Sequence, residues 1–129
     1  DLIWRRTRTH ALPLARESGS AMLLAAVLHN THLPGNHPEW EQSPPQWMSK
    51  TMKARLDTLS KLQRESGMSL VELTIRFLLA DKSVSTILVG ASQPSEIEAS
   101  VAAARAGKLP PDLHDALEQL GVEEPQPFF

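Results

Sequence analysis

The chain of 129 residues contains no cysteine, which excludes a disulfide framework, a thiolate metal site and a cysteine nucleophile. Strong charge of either sign is also missing, because 13 Lys and Arg stand against 15 Asp and Glu for a formal net charge of -2. Without a long-range positive field, no nucleic-acid partner is expected. The longest apolar run, Ala21 to Leu28, is too short to span a bilayer and too far from the amino end for a signal peptide. No membrane role is therefore expected, and the absence of cysteine fits a cytoplasmic setting. Internal repeats and low-complexity segments are absent as well.

What is present fits a soluble globular class, with 41% apolar and 22% charged residues. The length suits one folding unit or part of one. The opening Asp1-Leu2-Ile3-Trp4 lacks an initiator methionine and reads like the end of a strand, so a fragment or processed product is expected. The cluster Arg5, Arg6 and Arg8 reads as a solvated end.

Periodicity divides the rest. Thr9 to Ser18, stopped by Gly19, suits a short helix in which Pro13 is comfortable only in the first turn. Ala21 to Leu28 is continuously apolar, as a parallel strand buried on both faces requires. Four prolines make Leu33 to Gln46 a loop. Met48, Met52, Leu56, Leu59 and Leu62 then form one stripe of a surface helix. Gly67 stops it, and Ser69 with Glu72 has the capping-box spacing for a helix through Leu70, Leu73, Phe77 and Leu78. Val84 to Val89 is a β-branched strand closed by Gly90, and Pro94 opens a helix with Ile97, Val101 and Ala104 as its inner face. A last short helix after Pro110-Pro111 carries Leu113, Leu117 and Leu120.

This order predicts an α/β fold with a parallel sheet, two clear strands and about five helices. Residues 1–8 read as a strand end or loop, 9–66 as helix, strand, loop and helix, 67–107 as a helix-strand-helix unit, and 108–129 as a terminal helix and tail. The alternative is a small helical domain in which the two apolar runs share no sheet. Two strand-to-loop junctions, after Leu28 and at Gly90-Ala91-Ser92, are candidate sites, because a glycine turn before a helix offers unpaired N–H groups.

Gly67-Met68-Ser69-Leu70-Val71-Glu72-Leu73, Arg76-Phe77-Leu78-Leu79, Val84 to Ala91 and Glu96-Ile97-Glu98 together resemble the carboxyl-terminal part of aldo-keto reductases, and Leu109-Pro110-Pro111 resembles that family's terminal helix. The resemblance implies part of a (β/α)8 TIM barrel and a nicotinamide cofactor, NAD or NADP. It implies Gly90, Ala91 and Ser92 at the adenosine ribose and phosphate, Glu96 and Ser100 along the following helix, and Leu28, His29 and Asn30 at the other cofactor-side turn. That second turn departs from the family's usual glycine-containing pattern, with Thr31 at the usual glycine position. It resembles instead the loop of sugar dehydrogenases in the family, and Pro38-Glu39-Trp40 resembles the L-galactose dehydrogenase loop.

Glu96 favours NAD, since a carboxylate repels a 2′-phosphate and accepts hydrogen bonds from a ribose diol. The resemblance further implies a small carbonyl or sugar substrate, with hydride moving between nicotinamide and carbon. The family's acid is a tyrosine, and this chain contains none, so no catalytic residue is assigned and the isolated chain is expected to be inactive. A non-catalytic binding module derived from the family is the alternative. His29, His32 and His37 lack a carboxylate or cysteine at metal-site spacing and are read as loop residues, with no metal assigned. Open sheet edges predict self-association.

Overall fold

The computed structural model describes residues 2–28, 38–46 and 48–121. Its elements run α1 (Arg6–Ser18), β1 (Leu23–Leu24), a 3-10 turn at Pro38–Glu41, α2 (Lys50–Ser66), α3 (Leu70–Leu79), β2 (Thr86–Ile87), α4 (Pro94–Arg105) and α5 (Pro111–Glu118).

Local capping chemistry sets the helix boundaries. The Ser49 hydroxyl accepts the Met52 N–H at 3.1 Å to open α2, and Gly67 closes it at φ 68 with its N–H on the Gln63 carbonyl. That left-handed conformation costs glycine little and other residues more. Two residues later the Ser69 hydroxyl accepts the Glu72 N–H at 3.1 Å and starts α3, which is the serine half of the expected capping box; the Glu72 carboxylate instead accepts from Arg76 at 2.7 Å. The methionine-leucine stripe of α2 is inward, with Met52, Leu56 and Leu59 buried and Met48 and Leu62 packed against them.

The core lies among α2, α3, α5 and the amino-terminal segment, where Leu2, Ile3, Trp4, Leu59, Leu73, Phe77, Leu117 and Leu120 form one cluster. Arg5 is part of this body and not a solvated end, being only 8% exposed. Its guanidinium donates to the carbonyls of Leu2 at 3.0 Å, of Glu118 at 2.8 Å and of Leu117, and it lies 4.6 Å from the centre of the Phe77 ring. The carbonyls at the end of α5 keep lone pairs beyond their backbone N–H partners and attract a cation, which is why this arginine is drawn in. Burial lowers its pKa to about 10 against the opposing pull of Glu118. Gly121 is needed beside it, since a Cβ there would come within 2.6 Å of the Arg5 Cδ.

Three further expectations change. Helix α1 begins at Arg6, so Pro13 is interior to it; the donor it removes would have met the Thr9 carbonyl, on an exposed residue that water can reach. The strands are short, and neither is buried on both faces: Leu23 is 53% exposed and Thr86 is exposed too, in a described sheet of two strands. The face of α4 that enters the body is Ser100 and Ala103, not Ile97, Val101 and Ala104. Small side chains let α4 lie close on α3, and the larger Ile97 and Val101 stay 44% and 42% exposed.

Candidate functional site

The strands β1 and β2 pair in parallel, Leu23 opposite Thr86 and Leu24 opposite Ile87, with the Leu88 N–H on the Leu24 carbonyl at 2.8 Å. Parallel pairing sends both carboxyl ends to one rim, the rim at which α/β barrels bind ligands. The two junctions singled out in the sequence therefore meet there. Of the first, Leu28 is half-buried beside the buried Val27, while His29 and Asn30 lie outside the described residues.

One residue at this rim was not legible beforehand. Ala26, directly before Val27, has φ 53, a left-handed conformation that costs a residue with a Cβ about 1–2 kcal/mol. Such strain collects at functional sites. Sequence gives no signal for it, because alanine is not the residue that a positive φ leads one to expect.

The second junction is fully exposed from Gly90 to Glu96. A Cβ at Gly90 would meet nothing within 4 Å, so the backbone there is open to close approach. The Glu96 side chain folds back over the turn. It accepts the Ser92 N–H at 2.7 Å and the Gln93 N–H at 3.4 Å, and the Ser92 hydroxyl lies 3.3 Å from both carboxylate oxygens. Those N–H bonds, the Ser92 one foremost, hold the Glu96 carboxyl below its usual pKa. Two N–H groups of the turn before α4, those of Ser92 and Gln93, are thus already met by an internal anion. The carboxylate's remaining lone pairs can accept hydrogen bonds from hydroxyl groups.

Ser100 is placed differently from Gly90, Ala91, Ser92 and Glu96. It is 9% exposed, and its hydroxyl donates to the Glu96 carbonyl at 2.8 Å. It lines a cavity of about 250 Å³ with Ile87, Val89, Ile97 and Val101. Among the described residues no group of three or more His, Asp or Glu could hold a metal ion; His29, His32 and His37 lie outside them. No helix among the described residues is long and apolar enough to cross a membrane.

Comparison with known proteins gives this geometry a family context. The family model described as "Aldo/keto reductase family" matches residues 3–122. L-galactose dehydrogenase of Arabidopsis thaliana is 30% identical over 86 residues, which are 65% of this chain and 24% of that protein. The aldo-keto reductase AKR11C1 from Bacillus halodurans superposes in its holo form with a TM-score of 0.66 at 24% identity, over 98% of this chain and 42% of that one. Its apo form gives 0.66 at 22% identity, over 98% and 43%. The chain thus spans less than half the length of each, and its α/β architecture corresponds to part of their barrel fold.

Proposed function

The chain belongs to the aldo/keto reductase family, and from that premise we propose that it supplies cofactor-side elements of a nicotinamide-dependent oxidoreductase acting on a sugar or small aldehyde or alcohol. The observation that carries this reading is the Glu96 carboxylate locked over the Gly90-Ala91-Ser92 turn at the carboxyl end of β2.

That donor set fits a ribose better than a phosphate. A 2′-phosphate would face a carboxylate whose N–H partners are already engaged, whereas the diol of NAD donates to it. We therefore favour NAD over NADP, with Gly90, Ala91, Ser92 and Glu96 at the adenosine end. Ser100 supports Glu96 from below through the helix backbone. Leu28, and with it in sequence His29 and Asn30, is assigned to the pyrophosphate of the same cofactor. The nicotinamide, when bound, supplies the hydride chemistry; the chain's own contribution is to hold and orient the adenosine end. Similarity to L-galactose dehydrogenase supports a sugar-like substrate.

The chain has no tyrosine, so it offers no phenol acid for the family's reaction, and turnover by it alone is not expected. If the gene encodes nothing beyond this chain, that same absence favours a second reading, a non-catalytic binding module. In-frame sequence before Asp1 encoding a barrel start with a tyrosine and a lysine supports the enzyme, and its absence from the gene supports the module. Fluorescence titration tests the cofactor assignment: NADH is expected to bind more tightly than NADPH, and the reverse order overturns it.

A further inference from the structure

A second cavity lies apart from the Gly90–Glu96 turn. It encloses about 410 Å³ between α1 and α3, with the amino-terminal approach to β2 as its edge, and shares no lining residue with the Gly90–Glu96 turn. Such a volume lies within the range of small-ligand sites, about 300–1,000 Å³. Its walls are apolar, formed by Trp4, Leu12, Leu24, Phe77 and Val84, while Arg8, Arg16, Asp81 and Lys82 also line it.

Those charges do not cancel. Asp81 is shared, lying 3.7 Å from Arg8 and 3.3 Å from Arg16. Glu118 is shared too, by Arg8 and by Arg5 at 3.4 Å. Lys82 is exposed and has no ion pair among the described residues. Four cations around this cavity thus meet two carboxylates, in a chain whose overall charge is -2. The Arg16 side chain is 62% exposed and only part of its fork is engaged, by Asp81 and Ser83.

An apolar chamber with an uncompensated cationic lining selects a ligand with an apolar body and a single anionic head. We propose that this cavity binds a small amphipathic carboxylate, aliphatic or aryl, with its body against Leu12, Leu24 and Phe77 and its head between Arg16 and Lys82. A guanidinium matches a carboxylate in geometry as well as charge, and a neutral molecule of the same shape gains only the apolar part.

The test is a titration of the full chain with sodium octanoate and, separately, 1-octanol, followed by amide chemical shifts. Octanoate is expected to move Leu12, Asp81, Lys82 and Val84 saturably and to bind more tightly than octanol. Arg16→Ala and Lys82→Ala, both at exposed side chains, should each weaken octanoate about fivefold and leave octanol unchanged. Equal affinity for the alcohol, shifts confined to the Leu88 and Ile97 side, no saturable shift, or variants that bind octanoate as the parent does would overturn the proposal.

Discussion

The body made by α2, α3 and α5 and the rim made by β1, β2 and α4 are both rich in leucine, isoleucine and valine, yet they bury them very differently. In the body Leu59, Leu73 and Leu117 have no exposure, while at the rim Leu23, Leu88, Ile97 and Val101 are 53%, 52%, 44% and 42% exposed. The difference lies in what faces each element. Every inward stripe of the body meets another, and long cations tie its helix ends, Arg5 to α5 and Arg76 to the Gly107 carbonyl at 3.0 Å. The described rim is two short strands covered on one side, and its turn is closed by Glu96 over its own backbone. One region is held by packing and the other by polar bonds that a ligand can exchange.

The largest expected effect is in the body. Leu73→Ala should cost about 3 kcal/mol in urea unfolding, against about 0.5 kcal/mol or less for Leu88→Ala at the rim; similar losses would break the comparison. Next comes the buried cation. Arg5→Ala takes three hydrogen bonds, to the carbonyls of Leu2, Leu117 and Glu118, out of the core and should cost about 2 kcal/mol. Gly121→Ala, which pushes on the same guanidinium, should cost about half as much by the usual range for a strained contact.

Acid should loosen the join between α1 and the body. Burial raises the Asp81 carboxyl, but hydrogen bonds from Ser83 and the charges of Arg8 and Arg16 bring it below its ordinary 3.8. Glu118 is likewise raised by burial and brought below 4.5 by Arg8 and Arg5. A depressed carboxyl contributes stability that is present above its unfolded pKa and lost as pH falls through the folded one. Thermal midpoints should therefore fall below about pH 4.5, and Glu118→Gln should flatten that fall; an unchanged slope would show that the pairs contribute nothing. The smallest effect is at the rim: Ala26→Gly should stabilise by about 0.5 kcal/mol, strain relief offset by added unfolded-state freedom, measured by the same unfolding.

Which of these features sequence could reveal follows from how local their causes are. The Ser69–Glu72 cap, the Gly67 stop, the α2 stripe, Pro94 and the Leu117–Leu120 face depend on neighbours within a turn or two, and each was readable. The alternation of helices and strands was readable too. Arg5 was not, because two of its three carbonyl partners are 112 and 113 residues away. The α4 face is not readable from hydropathy, because Ile97 and Val101 are its most apolar residues while close approach to α3 selects Ser100 and Ala103. At the candidate site, the residue types of the turn were legible. The folding of Glu96 back onto Ser92 and the strain at Ala26 were not, since both are properties of the backbone path.

Chemical shifts of the Gly90–Glu96 amides during titration with NADH and with NADPH test the central reading most directly. Saturable shifts there, with NADH binding more tightly and Glu96→Lys reversing the order, are the predicted result. Shifts that avoid this turn, or NADPH binding more tightly to the unaltered chain, would contradict it.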